Sequence, residues 1–254
     1  MHPALASAFV RLSADHLGAL LAIVLIGTLF ILSARRRPLP QRRVFARGLA
    51  IALLLLWAGE ILWRAGSRDF PLYPDGLPLH YCSVAMLMAA AALWYRSPLL
   101  CGAVFFSVMT ASIQALITPA LELGAPSLRY LFFFATHGAL LLAAAALPLA
   151  LGWRARRCDP LITLAVGDVY LLAVHPINLL LGTNYGFTLH PPVPGTLLDY
   201  AGPAPWYYLA LQLPALALFY LIYPLVRRNA DPISDSAGES RHAASPSKAE
   251  LDSR

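Results

Sequence analysis

The chain has 254 residues, 59% hydrophobic and 13% charged, with a formal net charge of +6 and a mean hydropathy of +0.63. Apolar runs fill most of its length, which excludes an ordinary soluble domain and makes this a polytopic membrane protein. The positive charge sits in Arg-rich connectors, so it bears on topology and not on nucleic acid, whose basic face needs a soluble domain to carry it.

The N-terminal stretch does not read as a cleaved signal. Arg11 and Asp15 precede the first apolar run, no small-residue cleavage site follows it, and Arg35-Arg36-Arg37 flank it as they would a retained helix. Seven apolar runs predict seven transmembrane helices, at 17–32, 48–63, 79–95, 99–117, 131–151, 161–181 and 206–226. Alternating the connectors puts Arg35, Arg36, Arg37, Arg42, Arg43, Arg47, Arg96, Arg154, Arg156, Arg157, Arg227 and Arg228 on one side. The other side holds Arg11, Arg64, Arg68 and Arg129. The positive-inside rule then sets the N-terminus outside and the C-terminus in the cytoplasm. The expected fold class is an all-α membrane protein: a heptahelical domain over 1–228 and a polar, disordered cytoplasmic tail over 229–254. Lys248 is the single lysine, a bias that fits a GC-rich bacterial genome and says nothing more; the expected location is the bacterial cytoplasmic membrane.

The stretch Leu77-Pro78-Leu79-His80-Tyr81-Cys82-Ser83 turns a polar loop into an apolar helix, with Pro78 expected at the first helical turn. Cys82 falls near the helix N-terminus, where free N–H groups and the helix dipole can activate a nucleophilic sulfur. The plainer alternative is a small apolar residue packed between helices. Cys101 and Cys158 fall at the opposite membrane face, ~30 Å away, so Cys82 is expected to be a free thiol.

Polar groups within spans are costly and usually face the bundle interior. Glu60, Cys82, Gln114, Thr118, Thr136, His137, His175, Asn178, Thr183, Asn184 and Gln212 all fall towards the outer end of their spans, while Asp168 sits deeper. A cavity opening towards the outer leaflet would explain that level. Each residue also has a structural alternative. Gln114, Asn178 and Gln212 can hydrogen-bond across helices, Glu60 can pair with Arg64 four residues on, and His175 precedes the kinking Pro176. His137, about two turns into a very apolar span, needs a partner, and a thiol is a productive one if the helices carrying Cys82 and His137 touch. Zinc on His80, Cys82, His137 and His175 is disfavoured because His80 and Cys82 point to opposite sides of a regular helix. No cofactor is expected.

Five ordered blocks resemble a known family. They are Leu77-Pro78-Leu79-His80-Tyr81-Cys82, Gln114-Ala115-Leu116-Ile117-Thr118-Pro119, His137-Gly138, Asn178-Leu179-Leu180-Leu181-Gly182-Thr183-Asn184-Tyr185 and Pro203-Ala204-Pro205-Trp206-Tyr207. Across most of 49–225 the chain resembles the YwaF-type integral membrane proteins, whose eukaryotic branch contains transmembrane protein 164. The resemblance implies a heptahelical fold. It also implies a lipid acyltransferase that moves a polyunsaturated chain from a phospholipid to an ether lysophospholipid through a cysteine. The family nucleophile matches Cys82 and the family histidine matches His137, whereas Asp168 and His175 match no fixed pattern.

The expectation is therefore an acyltransferase or transacylase in which Cys82 forms an acyl-thioester and His137 is base and acid. Gln114 or Asn178 would hold the oxyanion. His80, His175 and Asn184 would line the substrate site, and Arg68 or Arg129 would hold a head group. The partners would be phospholipid, lysophospholipid and the bilayer. A lipid-ester hydrolase at the same site, a small-solute or lipid transporter, and a receptor are the alternatives, the last two lacking paired broken helices and a signalling motif. Oligomeric state is not read from sequence.

Overall fold

A computed structural model describes residues 7–68, 70–190, 202 and 206–227. Among the described residues all regular elements are helical, apart from two isolated bridges. Helix α1 spans Ala14–Arg35, and its N-cap Ser13 accepts the His16 N–H. Helix α2 spans Leu39–Gly66, α3 spans Tyr81–Tyr95, and α4 spans Pro98–Ile117. Helix α5 spans Leu128–Leu149, N-capped by Ser127. Helix α6 spans Asp159–Leu181 and α7 spans Trp206–Ile222. The tail expected at 229–254, and Pro203 to Pro205 of the last family block, lie outside the described residues.

Two boundaries differ from expectation. The basic connector before α2 is largely helical, because Pro38 and Pro40 start the helix where no N–H is needed and arginine is a good helix former. The Arg42 guanidinium then binds the carbonyls of Arg35, Arg37 and Ala150. Helix α3 begins at Tyr81 and not at Leu79. His80 is its N-cap, so Pro78 belongs to the turn before the helix. At 15 residues α3 is shorter than the other six, each of which is long and apolar enough to cross a membrane, α7 with the turn that carries it on to Leu225.

The core forms where small residues let α2, α3 and α5 approach closely. Ala46, Ala50 and Leu53 of α2 meet Ala85, Met86 and Ala89 of α3 and Leu140, Ala143 and Ala144 of α5. Helix α3 also packs on α4, and α4 on α6. Helix α4 widens into a π-helical turn at Val108–Ser112, a distortion frequent at functional sites. Helices α1 and α7 leave large apolar side chains such as Leu21, Leu29, Leu213 and Leu221 exposed, as lipid-facing helices do.

Candidate functional site

Cys82 stands in the first turn of α3, half-buried and free. Its Sγ sits near the Ser83 hydroxyl and the backbone N–H groups of Cys82 and Ser83. The N-cap His80 offers no side-chain cap, its carbonyl accepting the Ser83 and Val84 N–H groups, and the positive end of the helix dipole lies next to the sulfur.

Two aromatic residues hold this turn from α6 and the loop beyond it. The Tyr170 hydroxyl donates to the Leu79 carbonyl at 2.8 Å, and its ring meets Tyr81 edge-on at 5.1 Å. The Tyr185 hydroxyl donates to the Pro74 carbonyl, and its ring packs edge-on against His80 at 4.9 Å. Phe187 approaches His80 from the same loop at 6.1 Å. Burial pushes the Tyr185 phenol up, keeping it a donor.

The loop owes its shape to Asn178. This fully buried amide donates to the Tyr185 carbonyl at 2.8 Å and to Thr188 Oγ1 at 2.7 Å. Its oxygen accepts the Thr183 hydroxyl and the Tyr185 N–H, both at 2.8 Å. Asn184 folds the next turn by bonding the backbone of Leu189 and His190. Gly182 ends α6 with φ of 68°. Gly186, with φ of 61°, has no room for a side chain, since a Cβ would lie 2.9 Å from the Tyr170 ring. The block from Asn178 to Tyr185 is thus a clamp whose product is the position of His80 and Cys82.

His137 is buried in α5 at 7% exposure, stacked on Phe133 at 4.2 Å. Its Nδ1 lies 2.9 Å from the Phe133 carbonyl. A carbonyl only accepts, so Nδ1 carries the hydrogen and Nε2 of the neutral ring keeps its lone pair. Next to it, Gly138 lets α1 come close: a Cβ there would strike Ile23 at 2.8 Å. Helix α3 packs on α5 and both pack on α2. The Glu60 carboxylate of α2 is within electrostatic reach of His80, Cys82 and His137 alike. Among the described residues no hydrogen bond joins Cys82 to His137.

The other expected residues lie apart. Glu60 pairs with Arg64 at 2.9 Å, as their spacing suggested. Gln114 is exposed at the end of α4, where its amide donates to Thr118 at 3.1 Å. His175 is half-buried in α6 without a hydrogen bond among the described residues. Gln212 of α7 donates to Asp168 at 2.6 Å. Among the described residues no three His, Cys, Asp or Glu side chains gather as metal ligands would.

Sequence reasoning passed over two residues. His16 is fully buried, accepting the Leu12 N–H at Nδ1 and donating from Nε2 to the Leu116 carbonyl at 2.9 Å, which ties α1 to the end of α4. Tyr170 is the other. A tyrosine in an apolar span reads as packing, and its acceptor 91 residues away leaves no local mark.

Fold and composition together define a polytopic α-helical integral membrane protein. The chain belongs to the TMEM164 family, whose model matches residues 11–223. No curated protein and no solved structure matches it.

Proposed function

We propose that this protein is a membrane-embedded acyltransferase that carries an acyl chain from a phospholipid to a lysophospholipid through Cys82. Cys82 Sγ attacks the ester carbonyl, forming the C–S bond as the ester C–O bond breaks. The thiol proton passes to His137 Nε2 and from there to the leaving alkoxide, which departs as a lysolipid. The acceptor hydroxyl then gives its proton to His137, its oxygen attacks the thioester, and the thiolate leaves and is reprotonated. The Cys82 N–H stabilises the oxyanion, with His80 and Asn184 around the substrate; Gln114 and His175, which lie apart, take no part. Asn178 acts at one remove, since its donors are spent on the loop.

The observation that carries this reading is a free cysteine in an uncapped first helical turn, clamped by Tyr170 and Tyr185 and packed on the helix whose buried histidine keeps Nε2 unpaired. Membership of the family supports it. In the same reading all seven helices cross the bilayer, α3 using the turn before it to gain length. The N-terminus faces outward and the C-terminus the cytoplasm of a bacterial cell, by the arginine asymmetry. The test is transfer of a labelled acyl chain from phospholipid in reconstituted vesicles. Lysophospholipid-dependent transfer that Cys82→Ala abolishes is the expected result; label released as free fatty acid instead would make the protein a hydrolase, and transfer that survives Cys82→Ala would end the nucleophile assignment.

A further inference from the structure

The loop-bearing end of the bundle carries two arginines of different standing. Arg64 of α2 gives both Nε and Nη2 to Glu60 Oε1, at 3.1 and 2.9 Å. Arg129 of α5 makes no hydrogen bond or ion pair among the described residues, although its Nε is buried from solvent. Its guanidinium lies over the Phe70 ring at 5.0 Å, and Phe70 packs on Trp63, which stacks on Phe132. That aromatic floor fixes the cation where it is.

Its surroundings are otherwise unfavourable to a positive charge. Arg129 occupies the first turn of α5, where the helix dipole repels a cation. Arg64 adds a like charge within electrostatic reach, and among the described residues only the carboxylates Glu60 and Glu122 oppose it, the first spent on Arg64 and the second not in contact. A buried guanidinium donor with no acceptor is a position that a bound oxyanion would complete, and the planar fork of arginine matches phosphate oxygens in pairs. The same cation is within electrostatic reach of His80, the N-cap of the Cys82 helix. Leu128, its neighbour in the chain, is exposed, as are Leu62 near the end of α2 and Leu131 in α5, so this end of the two helices offers apolar surface as well as charge. Arg68, the other candidate in the sequence, is exposed.

We infer that Arg129 is a binding residue for a phosphate oxyanion, supplied by the phosphodiester of a membrane lipid whose chains lie along α2 and α5. The inference deepens the acyl-transfer reading, because it gives the lipid a fixed point one helix away from Cys82.

The test reads binding without turnover, in the Cys82→Ala chain, so that loss of catalysis leaves it intact. Thermal unfolding of that protein in neutral detergent is followed while adding phosphatidylglycerol, diacylglycerol with the same chains, or inorganic phosphate. Phosphatidylglycerol should raise the midpoint and diacylglycerol should not. Arg129→Gln should weaken the phospholipid response about tenfold, Arg129→Lys less, and Arg68→Gln not at all. The ligand-free midpoints of these variants show that each is folded. Inorganic phosphate acting as well as the lipid, and failing in Arg129→Gln, would keep the oxyanion site and make free phosphate its occupant. Equal responses to phospholipid in Arg129→Gln and its parent, or equal responses to phospholipid and diacylglycerol, would overturn the inference.

Discussion

The two ends of the helix bundle treat buried polar groups differently. At the end where α5 passes into α6, Asp159 is 1% exposed and fully engaged. It accepts the Arg156 N–H at 2.8 Å and pairs with the Arg156 guanidinium at 2.7 Å. Gly102 makes room for it, since a Cβ there would lie 3.2 Å from the Asp159 side chain. Arg42 and Arg154 satisfy the carbonyls of Ala150 and Pro148, and the Ala155 N–H reaches the Val226 carbonyl. At the Cys82 end the loops are as firmly tied, through Asn178, yet single groups are left over. His137 Nε2, Thr136 Oγ1 and Arg129 Nε have no protein partner among the described residues. Hydrogen bonding that closes on itself builds a scaffold, whereas buried groups left unpaired inside an otherwise closed scaffold are the ones available to a substrate.

Substitutions can break that contrast. Cys82→Ala should have the largest effect, abolishing acyl transfer while the melting temperature stays near that of the parent, because one half-buried sulfur is removed from a turn held by Tyr170 and Tyr185. His137→Ala should lower transfer by about 10²–10⁴-fold, the range for a general acid–base, with the loss read in single-turnover assays. Asn178→Ala should act on both fold and activity. It strands the Tyr185 N–H and carbonyl in a buried loop, at a cost of about 3 kcal/mol in unfolding free energy, and it releases His80 from its aromatic contacts.

Asp159→Asn should cost less, about 2 kcal/mol, since the partly exposed Arg156 guanidinium can return to water. Activity per folded molecule should then be unchanged, which separates the self-paired end from the proposed site. Cys158→Ala, at an exposed position, should alter neither melting temperature nor transfer.

Much of this was legible in the sequence. Apolar runs marked the helices, and the i,i+4 spacing of Glu60 and Arg64 foretold their pair. The start of α3 differs because Pro78 suits a first helical turn as well as the turn that precedes one; His80 is the N-cap, and the Leu79 carbonyl before it accepts the Tyr170 hydroxyl. The α2 connector differs because a run of arginines reads as a loop, whereas Pro38 and Pro40 start a helix there and Arg42 folds back on the carbonyls of Arg35 and Arg37 and on that of Ala150. Asn178 drew attention as a costly polar residue in a span, but its task depends on a loop fold that local periodicity does not encode. Arg129 could be singled out as a rim cation from sequence, yet its lack of a partner among the described residues is a tertiary property.

The central claim is that Cys82 carries the acyl chain. Its most direct measurement is the intact mass of the protein from phospholipid nanodiscs, acid-quenched during turnover, before and after hydroxylamine. The account predicts an acyl-sized addition on Cys82 that hydroxylamine removes and that Cys82→Ala never shows. A mass unchanged under turnover, or an addition that remains in Cys82→Ala, would contradict it.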